Sequence, residues 1–280
     1  GLCVMVVAGV ANIALDALFI IVFQWGLAGA ALATAISEVL GGAIPFLYFV
    51  RPNSSTLRLG RPLIDVRALG RVCVNGSSEL VSNLSMSLVS MVYNFQLMAY
   101  IGPDGVAIYG VIQYVAWIAV SLLMGFTVGS SPIISYHYGA KNSAELKGLF
   151  RTCLGVMVAG GALITVLTHL FAHPLAAVFV GYDPALCEMT VSALGEYSLA
   201  FIFVGVSIFG SAFFTALNNG LVSALISFLR TLVFECAAVM FLPAIIGVDG
   251  IWLSIVVAEI ASMFLTGGFL VGLRKHYDYA

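Results

Sequence analysis

The chain has 280 residues, 61% of them hydrophobic and 9% charged, with a mean hydropathy of +1.10. A soluble domain carries about 25% charged residues, so the composition excludes a soluble globular protein and indicates a polytopic membrane protein whose main partner is the lipid bilayer. The net charge of -2 says less than the placement of the charges, and no nucleic-acid partner is expected.

A membrane span needs about 20 mostly apolar residues. Eight segments meet this, at 2–24, 27–50, 72–101, 105–137, 150–180, 187–216, 221–246 and 250–273. The fold class expected is therefore all-α and integral to the membrane. The first residues, Gly1-Leu2-Cys3, already lie in a hydrophobic run without an initiating Met or a signal peptide, so the start reads as truncated. The five cysteines form no CxxC pair, and neither a disulfide framework nor a zinc site is expected.

The first two spans carry the polar residues of most interest. Asp16 sits in the apolar run NIALDALFI, and an ionisable side chain at membrane depth is costly and usually functional. Asn12 lies four residues earlier, on the same helix face. Thr34 on the next span is the nearest hydroxyl that could complete a polar pocket. A carboxylate there can exchange a proton, and Asn12 and Thr34 can donate to it or offer oxygens to Na⁺. The structural alternative is an interhelical polar clamp; the functional reading is favoured.

The connection at 51–71 holds five arginines, and its Pro, Ser and Gly residues break structure. It is expected to be a cytoplasmic linker whose arginines set topology, with a short amphipathic helix from Leu63 to Leu69. Lys141, Lys147 and Arg151, then Arg274 and Lys275, fall on the same side, while the alternate connections carry Asp104, Asp183 and Asp249. This alternation puts both ends in the cytoplasm.

The third span carries a polar stripe of Asn75, Glu79, Asn83, Ser87, Ser90 and Asn94 near one helix face. Glu79, Asn83 and Asn94 are possible cavity or coupling residues, with lobe packing the open alternative. His169 and His173 are four apart, but Pro174 follows and no acidic or Cys partner lies at a usual distance, so an interfacial pair is preferred to a metal site. Arg230 is the one basic residue inside a span, and Glu196 on the preceding span is its expected partner in a buried ion pair. Glu196 and Arg230 are also kept as possible cavity or coupling residues. Glu235, five residues after Arg230, is poorly placed to pair with it on an α-helix.

GLAGAALATAISE at 26–38 aligns with GVDGIWLSIVVAE at 247–259, an offset of 221 residues. Gly26, Gly29, Leu32 and Glu38 match Gly247, Gly250, Leu253 and Glu259. The copies lie six spans apart, so they share an orientation, as parallel repeats do. The expected organisation is the last two helices of one six-helix lobe at 1–50, the linker at 51–71, and a complete second lobe with a short cytoplasmic tail at 72–280. About four helices would then precede Gly1.

The first hairpin, together with PIISYHYGAKN at 132–142 and GIWLSI at 250–255, resembles the multidrug and toxic compound extrusion (MATE) family of transporters. The resemblance implies twelve helices in two six-helix lobes around a cavity that alternates between membrane faces. It implies efflux of small amphipathic or cationic organic compounds, coupled to H⁺ or Na⁺, by a bacterial inner-membrane protein that works as a monomer when complete. It assigns Asn12, Asp16 and Thr34 to the first lobe's cation site. The family's acid on the third span falls nearer position 83, where this chain has Asn83, which leaves Glu79 without an assigned role. A further coupling Asp belongs to a helix that this sequence does not contain.

No Walker A loop, GxSxG elbow or HExxH motif is present, so neither ATP nor a catalytic residue is expected, and no cofactor beyond the coupling ion. The alternative transporter is a flippase of lipid-linked saccharides on the same architecture, which would need several cationic groups in its cavity to hold pyrophosphate. A membrane enzyme or scaffold without transport is the reading from another class.

Overall fold

The structure, a computed structural model, describes residues 2–51 and 65–279, apart from the side chains at 68, 75, 77–79, 81 and 82. Most of the linker expected at 51–71, and the side chain of Glu79, therefore lie outside the described residues. The described chain is helical throughout: eleven α-helices and two π-helical segments. It divides into two compact units, Gly1–Asp65 and Val66–Ala280.

In the first unit, α1 (Leu2–Asp16) runs on without a break into a π-helical segment, Ala17–Val22, and packs on α2 (Gly26–Val50). Gln24 and Gly26 both take positive φ, 55° and 54°, which turns the chain back. Phe19, Phe23 and Trp25 stack around the turn with centroids 5.2 to 6.1 Å apart. Gly29, Ala33 and Ser37, four residues apart, form the buried stripe of α2. Small residues at this spacing let two helices approach closely where no water drives them together. Large apolar side chains such as Ile13 and Leu27 point outwards, as a lipid solvent allows.

The second unit contains α3 (Val66–Tyr100), α4 (Pro103–Gly139), α5 (Ser143–Leu170), α6 (Ala172–Val180), α7 (Pro184–Ser198) and α8 (Phe201–Ala216). After these come α9 (Gly220–Ser227), the π-helical segment Phe228–Glu235, α10 (Cys236–Ile246) and α11 (Val248–Tyr277). Among the described residues six helices are long and apolar enough to cross a membrane, and a seventh is added if α7 and α8, bent by 45° at their junction, are one span. The third expected span lies on α3, a continuous 35-residue helix that starts six residues before the expected boundary. Its polar stripe lowers its hydropathy below that of its neighbours.

Helix starts follow local chemistry. Asp183 accepts from the amides of Ala185 and Leu186 at 3.0 and 3.3 Å, with Pro184 at the first helical position. Asn142 and Asn219 cap α5 and α9 through the amides of Glu145 and Val222 at 3.3 and 3.2 Å. These side chains satisfy amides that the helix itself leaves free.

The α7–α8 break is clamped by α5. Thr165 donates from Oγ1 to the Ser198 carbonyl oxygen at 2.9 Å, and His169 Nδ1 lies 3.1 Å from Ser198 Oγ. A Cβ on Gly161 would fall 2.2 Å from the Phe201 carbonyl oxygen, so α5 and the start of α8 touch backbone to backbone. His169 thus belongs to the clamp.

The paired glycines of the segments 26–38 and 247–259 have matching local geometry. Gly247, like Gly26, has positive φ (72°) at the turn. Three residues on, Gly29 and Gly250 each press on the preceding helix. A Cβ would meet Phe19 Cβ at 2.9 Å in one copy and the Leu242 carbonyl at 2.7 Å in the other.

Candidate functional site

A cavity of about 460 Å³ opens inside the second unit. Such a volume lies in the range of about 300–1,000 Å³ typical of small-molecule sites. Its mainly aliphatic wall carries four aromatic side chains: Tyr109 and Trp117 from α4, Tyr197 from the end of α7, and Phe201 from the start of α8. The broken span therefore places an aromatic ring on the cavity from each side of its bend. Tyr109 is fixed from behind by stacking on fully buried Tyr93, centroids 4.8 Å apart. It is fixed at its hydroxyl by Gln113, whose Nε2 donates to Tyr109 Oη.

The charged part of the wall comes from the π-helical segment and α11. Arg230 donates from Nε to Glu259 Oε1 at 2.7 Å. Glu259 is 1% exposed, and its second oxygen, Oε2, has no hydrogen-bond partner. Glu235 also lines the cavity. Hydrogen bonds run i→i+5 in a π-helix, so residues five apart return towards one face. This is how Arg230 and Glu235 come to share a cavity, although α-helical spacing would have separated them.

The expected pairing of Arg230 with Glu196 is overturned: the partner is Glu259. Glu196 belongs to α7 and is absent from the cavity wall, and its Oε2 is buried without a hydrogen-bond partner. Asn94 is off the wall too, its amide donating to the Ser90 carbonyl oxygen one turn back at 2.8 Å. Asn83 is an exposed residue of α3 outside the cavity lining. Of the possible cavity residues whose side chains are described, Arg230 is the one the structure puts on this wall. Reading the sequence missed Tyr109, Gln113, Tyr197 and Glu235 as lining residues. The four-residue step from Tyr109 to Gln113 was a usable signal, whereas the π-helical turn was not.

In the first unit, Asp16 closes α1 where the π-helical segment begins, and its Oδ1 is buried without a hydrogen-bond partner. Asn12 is half-buried one turn earlier. Thr34 is exposed, and its hydroxyl donates to the Ala30 carbonyl oxygen of its own helix at 3.1 Å. No hydrogen bond joins the three side chains to one another. π-Helical turns occur often at functional sites, and here each unit has one beside a charged residue.

Residues 80–238 match the MatE family. The chain belongs to that family. Among curated relatives, the multidrug export protein MepA of Staphylococcus saprophyticus is 25% identical over 264 residues, covering 91% of this chain and 56% of the relative. MepA of Staphylococcus aureus is 23% identical over 253 residues, covering 89% and 54%. This MATE chain thus spans a little over half the length of the curated relatives it matches. A crystal structure of MATE in complex with MaL6 superposes with a TM-score of 0.88 at 21% identity, covering 98% of this chain and 62% of the other. The chain is a multi-pass membrane protein whose described helices match part of the MATE fold.

Proposed function

We propose that the complete protein of which this chain forms part is a secondary exporter of small amphipathic or cationic organic compounds. It resides in a bacterial plasma membrane and uses H⁺ or Na⁺ antiport with alternating access. The observation that carries the reading is a cavity with four aromatic side chains and a surplus carboxylate on its wall, inside a MATE fold whose relatives include multidrug export proteins. Aromatic faces and carboxylates attract organic cations. Asn12, Asp16 and Thr34 are assigned to the coupling cation. Asp16 supports this assignment, because a buried carboxylate oxygen without a partner is a group that a proton or cation can satisfy. A lipid-pyrophosphate flippase fits less well, because the cationic group on the described cavity wall is already paired with Glu259.

The test is reconstitution of the complete protein into proteoliposomes, with ethidium flux followed under an imposed pH or Na⁺ gradient. Flux that follows either gradient supports the reading. Flux indifferent to both removes it.

A further inference from the structure

The cavity wall in the second unit carries three charged side chains among the described residues: Arg230, Glu235 and Glu259. With all three ionised they sum to one negative charge. Arg230 is held by Glu259 at 2.7 Å, whereas Glu235 makes no ion pair within 4.0 Å among the described residues. Glu259 is 1% exposed, lines the cavity, and keeps one oxygen without any partner. A buried carboxylate oxygen left unpartnered has lost its hydration and gained nothing in return. The wall thus holds two acids competing for positive charge, with one internal cation already committed.

We infer that Arg230 sets the charge selectivity of this pocket. By neutralising Glu259, it leaves Glu235 as the single counter-ion, so the pocket takes a flat organic monocation and discriminates against dications. The ligand's ring system lies among Tyr109, Trp117, Tyr197 and Phe201, and its positive charge is met by Glu235 and by the faces of these rings. A dication would bring a second charge against the guanidinium of Arg230. A zwitterion's carboxylate would compete with Glu259 for that guanidinium, whose charge the pair already offsets. The inference rests on the reading that this cavity takes up the exported cation, and it adds which residue decides how much charge the cation carries.

The experiment uses the complete protein in lipid nanodiscs, without any gradient, and measures equilibrium binding of ethidium and propidium. The two share one phenanthridinium core and carry one and two positive charges. Wild type is expected to prefer ethidium. Arg230→Gln frees Glu259, and should shift the ethidium-to-propidium affinity ratio towards propidium by about tenfold or more, the scale of one added charge contact away from bulk water. Glu259→Gln leaves Arg230 unneutralised beside Glu235 and should weaken ethidium by a similar factor. The double variant Arg230→Gln/Glu259→Gln restores one negative charge and should recover the wild-type ratio. A ratio unmoved by Arg230→Gln in folded protein overturns the inference, as does tighter binding of a zwitterionic fluoroquinolone than of ethidium by wild type. Should a lone charge prevent either single variant from folding, the decision passes to wild type, where equal or tighter binding of propidium overturns it. Gradient-driven flux without the ratio shift sinks the inference and leaves the exporter reading standing. The ratio shift without gradient-driven flux does the reverse.

Discussion

Gly161→Ala tests how the broken span is held. The new Cβ would lie 2.2 Å from the Phe201 carbonyl oxygen, 3.2 Å from its carbon and 3.4 Å from Ile202 Cα. All three are backbone atoms of the first turn of α8, so no side chain can rotate away. Either α5 separates from α8 or the turn carrying Phe201 moves into the cavity. Forcing a methyl into a close-packed site costs about 1–3 kcal/mol, and an obstacle made of backbone puts this change near the upper end, about 3 kcal/mol. For a unit of this size the melting temperature should fall by roughly 6–12 °C. Ethidium binding should weaken too, because Phe201 is part of the cavity wall. The control is the next residue: a Cβ on Gly160 meets Leu123 Cδ2 at 3.4 Å and nothing closer. Gly160→Ala should therefore be neutral or gain up to about 1 kcal/mol of helix propensity. Thermal unfolding in one detergent, with ligand binding at a fixed temperature, reads both outcomes. Equal melting temperatures for the two variants would refute the backbone contact as the clamp.

Asp16→Asn keeps the side chain's shape but fixes it neutral; the protein should reach the membrane and bind substrate but lose gradient-driven efflux, while Asn12→Ala and Thr34→Ala should reduce coupling less. Normal pumping by Asp16→Asn would make Asp16 a packing residue. Gly250→Ala should destabilise the α10–α11 hairpin by about 1–3 kcal/mol, since its Cβ would meet the Leu242 carbonyl at 2.7 Å; an unchanged melting temperature would contradict this. At the end of α11, the Ser143 hydroxyl and then Lys147, 3.4 Å away, hold the Asp278 carboxyl below the usual carboxylate range. A lowered folded-state pKa means a contribution present above the unfolded value, about 3.9, and lost as pH falls through the folded one. Between pH 5 and 3 the melting temperature of wild type should therefore fall more than that of Asp278→Asn, and parallel curves would dismiss the contact.

The spans were legible because the membrane demands long apolar runs, and the hairpin repeat was legible because glycine marks it twice. Gly26 and Gly247 supply positive φ, and Gly29 and Gly250 supply close approach. The family was legible from separate motifs that occur in order. The charged wall of the cavity was not. Placing Arg230 and Glu235 on one face takes an i→i+5 turn, and hydrophobic spacing is read with an α-helical period. Pairing Arg230 with Glu259 takes the approach of α11, 29 residues further on. The preceding span suggested Glu196, which tertiary packing put off the wall on α7. The bend between α7 and α8 was also hidden, because its cause is a set of contacts with α5 and not a proline or glycine at the junction.

A π-helical stretch holds one residue more in each hydrogen-bonded ring than an α-helix does. The Phe228–Glu235 segment is therefore a place where this span can lose a codon and stay helical. Removing one residue between Arg230 and Glu235 would close the rings to i→i+4. It would also bring the two charges to the spacing at which opposite charges pair along an α-helix. The guanidinium would then be shared between Glu235 and Glu259, and all three charged residues of the wall would be kept. An equivalent deletion in α5 would instead turn Gly161 away from Phe201 and dismantle the clamp. Along this segment, length variation would move the pocket's negative charge among its acids while leaving its sum the same.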